Sequence, residues 1–443
     1  MTVKVINRET FLPDIVSQCR QISTNENCPY GLKDLRDVAT EYVLSASFPT
    51  TRDEEWRFTN LSPLLEIPFA VAENNQVDIS LADITLPVNA KDDVPLRLVF
   101  VNGNYAPQLS TVPSSELPTL ALEFYAGNLT NAPALYHARI RACLSKNEHT
   151  EVFSALNVAG LVDTAVVFVP ANKAIDNPIH LLFVTVAGAT PTMSQPHCLV
   201  IAEPGSSVTL VEDYVTLGNI STFTNAVTDI VVGENAAVNH IRIQREGGKA
   251  FHIGKSAISQ SRNSRYTCHA ISLGAKISRH NLDVSQGGEA TETTLNGLTL
   301  IGGEQLADTH SLIGFNHPHG TSRQLHKCII DDKAHAVFNG KVFVPKLAQL
   351  TDAGQLSRNL LLSPKARVDT KPQLEITADN VKCSHGATVS QLEDDEIFYL
   401  QSRGLDEDMS RNLLINAFAA EILNQLPVAA VREMLACIVA SRT

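Results

Sequence analysis

A cysteine and a histidine two residues apart, Cys383 and His385, are the side chains of this sequence best suited to bind a soft or borderline metal ion. They follow an alternating segment and precede an acidic segment of helical character. Residues i and i+2 of a strand point to the same face, so both side chains can project from one strand. A thiolate and an imidazole suit iron, but two ligands cannot hold a cluster.

Two interpretations of this pair follow from the residues. The pair is half of a metal site, completed by another chain or by an added thiol. Alternatively, Cys383 is a buried small apolar residue and His385 hydrogen-bonds the turn at Gly386. Residue types alone favour the second interpretation.

A second group of possible metal ligands lies between residues 310 and 335. It comprises five histidines and one cysteine: His310, His317, His319, His326, His335 and Cys328. His317 and His319 flank Pro318 and precede Gly320, a pattern typical of a turn, in which two rings need not share a face. A metal site and a solvated turn are both consistent with this segment, and the pattern favours the turn.

Motifs for common catalytic chemistry are missing from the sequence. A nucleophile elbow, a Walker A loop, a dinucleotide fingerprint and an HExxH motif are all absent. The acidic pair Asp331 and Asp332 lies in a polar turn. The sequence therefore offers no catalytic constellation.

Composition narrows the class of protein. The 443 residues exceed one ordinary compact core. The net charge of −12 and the single tryptophan argue against binding to nucleic acid or anionic membrane. No apolar run approaches the roughly 18 residues of a membrane span, and the N-terminus resembles neither a signal nor a transit peptide. Eight dispersed cysteines without a CxxC motif favour free thiols, so we expect a cytoplasmic protein.

Three regions of different pattern predict the organisation. Residues 1–95 are mixed and helical, with an apolar face made by Leu32, Leu35, Val38, Ala39, Tyr42 and Val43. In the following segment EEWRFTNL, residues 54–61, Trp56 is expected to anchor a loop with Arg57 near Glu54 and Glu55.

Residues 96–389 form a long series of short alternating segments divided by Gly, Asn, Asp and Pro. Such a series predicts an all-β body, and its length favours a β-solenoid of stacked coils. A large barrel or two tandem sandwiches are the alternatives.

Residues 390–443 form a helical C-terminal domain. Ser390 and Glu393 match a capping box, and Gly404 matches a C-terminal cap. A second helix is predicted from Asp406, and Pro427 suits the first position of a third. The expected apolar face of the second helix comprises Leu414, Phe418, Ile422 and Leu426.

The contiguous stretch of residues 338–405, from FNGKVFVPKL to YLQSRGL, resembles the signature of the SufB/SufD family of iron–sulfur cluster assembly proteins. The segment EEWRFTNL is similar to an N-terminal motif of SufD. Gly386 follows the histidine where SufB-like chains usually carry glutamate, which removes a carboxylate that a SufB-type site would use. The resemblance is therefore strongest to SufD.

This resemblance implies a right-handed parallel β-helix flanked by helical N- and C-terminal domains. It also implies a heterodimer with SufB through the β-helix, docked on two copies of the SufC ATPase. Cys383 and His385 match the SufD-side residues of that interface, with Cys383 a persulfide or iron ligand and His385 an iron ligand. No cofactor would be bound permanently, and the iron–sulfur cluster would be transient.

The same resemblance implies that this chain is not an enzyme, because ATP hydrolysis belongs to SufC. We expect the helices of residues 392–441 to contact SufC. The alternatives are a SufB-like homodimeric scaffold, a carbohydrate-active β-helix enzyme, and a His-ligated metalloenzyme that uses residues 310–335, tested by changing His317 and His319.

Overall fold

The alternating segments of the sequence form strands that coil into two parallel sheets. The computed structural model describes residues 7–22, 32–72, 79–87, 96–111, 124–144 and 151–442. Cys28 and the predicted domain boundary at residue 95 lie outside these ranges. The strands are β1 Ala70–Val71, β2 Leu96–Val101, β3 Asn104–Tyr105, β4 Tyr125–Asn128, β5 Ala165–Val169, β6 Ile179–Val186, β7 Thr192–Ser194, β8 His197–Ala202, β9 Ser207–Leu217, β10 Thr222–Val232, β11 Ala237–Gln244, β12 Phe251–Gln260, β13 Arg265–Ser272, β14 Ile277–Gln286, β15 Glu292–Ile301, β16 Leu306–Phe315, β17 Thr321–Ile330, β18 His335–Val344, β19 Asp352–Leu361, β20 Arg367–Ile376 and β21 Lys382–Ser390.

From β8 to β21, successive strands alternate between the two sheets. Sheet A has 11 strands in the order β20-β18-β16-β14-β12-β10-β8-β5-β4, with β1 and β7 at its side. Sheet B has 10 strands in the order β21-β19-β17-β15-β13-β11-β9-β6-β2-β3. Each coil therefore adds one strand to each sheet. This arrangement confirms the predicted β-solenoid and excludes the barrel and the tandem sandwiches.

The turns between strands explain why Gly, Asn and Asp recur between the apolar segments of the sequence. Asn235, Asn263 and Asp332 have φ values of 57°, 54° and 52° at such turns. Asn and Asp tolerate this left-handed region because their short side chains hydrogen-bond locally. Several of the Gly, Asn and Asp residues between apolar segments thus stand at coil corners where the backbone is left-handed.

The interior of the solenoid, which we call the lumen, is filled by the inward-facing side chains of both sheets. Because the coils are stacked in register, equivalent positions form columns. One such column of sheet B comprises Leu210, His240, Cys268, Leu295, Gln324, Gln355 and His385. The lumen is thus a core with polar side chains built into it.

The helices pack at the two flanks of the solenoid. They are α1 Arg8–Ile22, α2 Leu32–Ser45, α3 Ser62–Leu65, α4 His137–Leu144, α5 Val152–Ala159, α6 Asp394–Ser402, α7 Glu407–Leu423 and α8 Ala429–Arg442. Helices α1, α2 and α5 share one apolar cluster with the outer face of sheet A. The predicted apolar face of α2 is correct at Leu32, Ala39 and Val43, whereas Val38 is exposed.

The C-terminal helices α7 and α8 cover the outer face of sheet B through a continuous apolar cluster. The predicted apolar face is correct at Ile422 and Leu426, and Phe418 packs against the same cluster. Ile415 and Ala419 of α7 are also buried, so the buried face is broader than predicted. The buried Lys327 of β17 donates to the carbonyl of Phe418 at 2.7 Å. Its Nζ also pairs with Glu421 at 2.5 Å, which fixes α7 to the sheet.

Two expectations for the helix ends are corrected. Ser390 is the last residue of β21 and Glu393 is itself the N-cap of α6, without a side-chain capping bond, so the capping box does not form. The sheet ladder with β19 extends through Ser390 and delays the helix. Helix α8 begins at Ala429, two residues after Pro427.

Other expectations for these ends are confirmed. Asp406 caps α7 by accepting from the Met409 amide at 2.7 Å. Gly404, with φ 96°, follows the end of α6 as predicted. The positive φ at this position explains why glycine stands there.

Candidate functional site

Cys383 and His385 lie on β21, the last strand of sheet B. In register, Cys383 pairs with Ala353 of β19 and His385 pairs with Gln355. Ala353 belongs to the apolar cluster of the lumen, and Cys383 packs against that cluster. By strand alternation both side chains project from the lumen face at the end of the solenoid.

The two side chains differ in exposure. His385 is exposed, and Cys383 is partly buried. Burial raises the pKa of the Cys383 thiol, and the carboxylate of Asp352 adds to this effect. The thiol is therefore protonated at neutral pH unless a metal or a partner group displaces the proton.

Position 386 lies on the other face of β21. A Cβ placed on Gly386 would lie 3.3 Å from Cδ1 of Leu356, on the outer side of sheet B. A carboxylate at this position would thus project away from the face that carries His385. The geometry separates the glycine from the cysteine–histidine pair that precedes it.

The end of the solenoid at β20 and β21 is open. Within the described residues, neither strand has a partner on its far side. Every residue of β21 is at least partly exposed. Val389 of β21, Ile376 of β20 and Leu350 of the turn between β18 and β19 are exposed apolar side chains. Unpaired backbone groups with an apolar border can pair with a strand of another chain.

The lumen wall below this end is polar. The Gln355 amide nitrogen donates to Oε1 of Gln324 at 2.7 Å, and the Gln324 amide nitrogen donates to Oγ of Ser311 at 2.7 Å. The hydroxyls of Ser357 and Thr370 lie 3.0 Å apart across the two sheets. The cysteine–histidine pair therefore stands above a hydrogen-bonded wall.

The histidines of residues 310–335 are dispersed by the fold. His317 and His319 lie on an exposed turn after β16, where His319 has φ 62°. His326 is in the lumen, stacked on Phe338, and burial lowers its pKa to about 4. His335 pairs with a carboxylate of β20. In the described part of the chain, no three or more His, Cys, Asp or Glu side chains are placed to hold a metal.

The segment after α2 is anchored on the outer face of sheet A. Trp56 is buried as predicted, with its ring 5.5 Å from that of Phe153. The guanidinium of Arg279, on β14, lies 4.0 Å from the Trp56 ring centroid. Its Nη1 donates to the carbonyl of Glu55 at 2.6 Å. One arginine therefore holds both the ring and the backbone of this segment.

Asp308, on β16, is the shared acidic partner of the basic side chains at this contact. It pairs with Arg279 at 2.6 Å and with His310 at 3.0 Å, and it accepts from Thr59 at 2.5 Å. The other ring nitrogen of His310 lies 3.1 Å from Glu55. Burial alone would raise the pKa of Asp308, but Arg279 and His310 lower it to about 2.

Arg57 lies near Glu54 as expected, with its backbone amide donating to the Glu54 carbonyl at 3.3 Å, but the two neighbouring carboxylates pair with other residues. Glu54 pairs with Lys371 at 3.0 Å, and Glu55 pairs with His310. The short 3-10 helix Glu54–Trp56 lies against sheet A, and both carboxylates find basic partners there. Arg57 lies over the ring of Phe58.

A buried ionic network in the middle of the lumen was missed by sequence reasoning. Glu212 lies 2.6 Å from the ring of His240 and accepts from Thr228 at 2.6 Å. Burial alone would raise the pKa of Glu212, but His240 and Arg242 lower it to about 2. Burial alone would lower the pKa of His240, but Cys268 and Glu212 raise it to about 9. In the sequence, the only sign of this network was that ionisable residues stand at the inward-facing positions of alternating strands.

An exposed apolar surface lies on the C-terminal helices. It comprises Phe398 and Tyr399 of α6 and Met409 and Leu413 of α7, and we call it the C-terminal apolar patch. Phe398 is 71% exposed and Leu413 is 49% exposed. Helices α6 and α7 contact each other, and exposed apolar side chains on neighbouring elements are often found at protein contact surfaces. None of the helices in the described ranges is long and apolar enough to cross a membrane.

Comparisons with known proteins match nearly the whole chain to one family. The family model described as "SUF system FeS cluster assembly, SufBD core domain" matches residues 183–418, and "SufBD protein N-terminal region" matches residues 7–181. An iron–sulfur cluster assembly SufBD family protein of Synechocystis is 49% identical over 424 residues, covering 93% of this chain and 91% of the relative. SufD of Escherichia coli is 33% identical, covering 87% of each chain. SufD of Bacillus subtilis is 26% identical, covering 95% of this chain and 96% of the relative.

Proposed function

This chain belongs to the SufBD family of iron–sulfur cluster assembly proteins, and on that premise we propose that it is a non-catalytic scaffold subunit whose open end pairs with SufB. A nascent cluster is then built at the junction of the two subunits. The observation that carries the proposal is the position of His385, which is exposed on the last strand of sheet B. Within the described residues, the far edge of this strand has no partner.

The iron and the cluster are the cargo of this site. His385 supplies an imidazole and Cys383 supplies a thiol from the same strand face. Because two ligands leave iron incompletely coordinated, the remaining ligands come from the partner. A metal that binds Cys383 displaces its proton, so the raised pKa of the thiol opposes loading until the partner supplies further ligands.

The unpaired edges of β20 and β21 support pairing with SufB. A strand of the partner would continue the sheet through main-chain hydrogen bonds. Val389, Ile376 and Leu350 would be buried by the same contact. A second copy of this chain is the alternative occupant of the edge, as in a homodimeric scaffold, and native mass separates the two assemblies.

The C-terminal apolar patch is the proposed contact for the SufC ATPase. Helix α7 is joined to sheet B because Glu421 pairs with both Lys327 of β17 and Arg358 of β19. Strand β19 lies next to β21, which carries His385. A displacement of α7 by SufC would therefore reach the candidate site through one intervening strand.

Co-expression with SufB and SufC, followed by anaerobic reconstitution, tests the role of His385. In His385→Ala we expect the complex to form while its cluster content falls at least tenfold, since a metal ligand is lost without change to the fold. His317→Ala is the matched control, because His317 is also exposed but lies on a turn. Full cluster assembly in His385→Ala would refute the proposed role.

A further inference from the structure

We infer that Gln355 is a positioning residue for His385: its side-chain carbonyl accepts a hydrogen bond from one ring nitrogen, so that the other nitrogen is free to bind metal. This inference rests on the proposed role of His385 as an iron ligand. It concerns the chain's own hydrogen bonding, and it has a readout that does not depend on cluster assembly.

The first observation is an unsatisfied atom directly beside the histidine. Gln355 stands next to His385 in register, on the lumen face of the adjacent strand. Its side chain is 4% exposed, and its Oε1 has no hydrogen-bond partner among the described residues. Buried carbonyl oxygens are rarely left unpaired, so this atom marks a place where a donor is expected.

The second observation is the orientation of the Gln355 amide. Its nitrogen donates to Oε1 of Gln324, whose own nitrogen donates to Ser311. With Gln324 in its present orientation, turning the Gln355 amide over would bring two carbonyl oxygens together. A Cβ on Gly340 would lie 2.0 Å from Nε2, so the amide packs closely against the bare backbone of β18. In this row each amide nitrogen donates toward the preceding coil. The side-chain oxygen of Gln355 is therefore the acceptor left without a donor nearest the open end.

The donor that best fits this acceptor is the ring of His385. Adjacent strands lie about 4.8 Å apart, a gap that rotation of a histidine side chain can bridge. Neutral imidazole has one N–H and one lone pair, so donation from one nitrogen leaves the lone pair on the other. Metal-bound histidines commonly donate their second nitrogen in this way to a carbonyl or carboxylate.

Other lumen groups near the open end are less suited to this role. The hydroxyls of Ser357 and Thr370 lie within hydrogen-bond distance of each other. Asn359 also has an unpaired side-chain oxygen, but its neighbour in register is Val389. The acceptor beside the histidine is therefore Gln355.

Four variants of the full chain test the inference. Gln355→Met removes the acceptor at similar volume. Gln355→Glu keeps an acceptor at the same position, while the Gln324 amide turns over to donate to the second carboxylate oxygen and to accept from the Ser311 hydroxyl. Ser322→Ala is the matched control, because it removes another buried, unpaired polar atom of the lumen wall away from His385. His385→Ala assigns the His385 signals in ¹⁵N-histidine NMR spectra.

The first readout is the tautomer of His385, taken from its two ring ¹⁵N shifts at one alkaline pH. We expect one dominant tautomer in the wild type, in Gln355→Glu and in Ser322→Ala, and a mixture in Gln355→Met. A mixture in the wild type, or the same single tautomer in Gln355→Met, would overturn the inference.

The second readout is anaerobic titration of the co-purified complex with Fe²⁺. We expect Gln355→Met to weaken binding about tenfold, as is usual when the hydrogen-bond partner of a metal-bound histidine is lost. Gln355→Glu should restore it, and equal affinity in Gln355→Met and wild type would contradict the inference. If His385→Ala leaves iron affinity unchanged while the tautomer still depends on Gln355, the proposed function fails and the positioning role stands.

Discussion

At the scale of single residues, the lumen carries ionised side chains that a β-helix core does not require. Glu212 and His240 form a charged pair inside the coil stack, and each has its pKa displaced in favour of the charged form. Tyr266 contacts the second ring nitrogen of His240 at 3.0 Å. A buried pair of this kind contributes little over an apolar core, but loss of one partner is costly.

Glu212→Gln tests this pair. The pKa of His240, about 9, exceeds the unfolded value of about 6.5. Its stabilising contribution is therefore complete below pH of about 6.5 and is lost as the pH rises through about 9. The pKa of Glu212, about 2, lies below its unfolded value of about 4.3, so its contribution is lost only as the pH falls through about 2.

We expect Glu212→Gln to lower the free energy of unfolding by about 3–5 kcal/mol near pH 6. The difference from wild type should shrink as the pH rises toward 9.5, and urea denaturation at several pH values measures it. Glu234→Gln, at an exposed turn, should change stability by less than about 0.5 kcal/mol. A difference that does not vary with pH would show that His240 is neutral in the folded protein.

At the scale of elements, each helical flank packs on one sheet of the solenoid through an apolar cluster, and a few charged side chains also hold it there. The N-terminal segment is attached through the charges and aromatic ring around Arg279, on the outer face of sheet A. The C-terminal helices are attached to sheet B by an apolar cluster and by Lys327. Each flank therefore has a small number of side chains on which its position depends.

Replacing Arg279 tests the N-terminal attachment. Arg279→Met leaves Asp308 buried with His310 as its remaining basic partner, so we expect a loss of about 3–5 kcal/mol. Hydrogen exchange should rise first around Glu54–Trp56. Arg262→Met, at an exposed turn, is the control. Uniform protection in Arg279→Met would mean that Trp56 packing alone holds the segment.

The C-terminal apolar patch is tested by charge insertion. Leu413→Asp places a carboxylate on an exposed position of α7, so the fold should be retained while co-purification with SufC falls at least tenfold. Val38→Asp is the control, because Val38 is a comparably exposed apolar residue on α2. Undiminished recovery of SufC with Leu413→Asp would show that this face of α7 is not the contact for SufC.

At the scale of the whole molecule, the two ends of the solenoid are unequal. The first coils end in the antiparallel pairs β2–β3 and β4–β5, and Tyr125 and Phe168 of the latter pair lie in an apolar cluster with residues of α4. The last coil ends in β20 and β21, in which every residue is at least partly exposed. This difference between the ends favours the open end as the place where a partner chain would bind.

Val389→Lys tests assembly through the open end. A charge on this exposed strand position should prevent close pairing, so the mass of the SufB-containing complex should drop to that of separated subunits. Native mass spectrometry provides the measurement. Val162→Lys, at an exposed site remote in sequence from the open end, should leave the complex intact. Persistence of the complex in Val389→Lys would place the interface elsewhere.

The sequence alone determined the coil-forming pattern, the turns, the C-terminal helices and the family. These features depend on local alternation, on residues such as Asn235 that tolerate left-handed backbone, and on a long contiguous resemblance. It also identified Cys383 and His385 as the pair to examine. Local errors occurred where a longer-range ladder took precedence, as at Ser390, which stays in the sheet instead of capping a helix.

Only the tertiary structure decided which residues meet. Glu212 and His240 are 28 residues apart, and Thr59 and Asp308 are 249 apart. Alternation shows which face of a strand a side chain occupies, but neighbours across coils depend on the length of every intervening turn. For this reason the acceptor on Gln355 beside His385 could be found only after the coils were stacked.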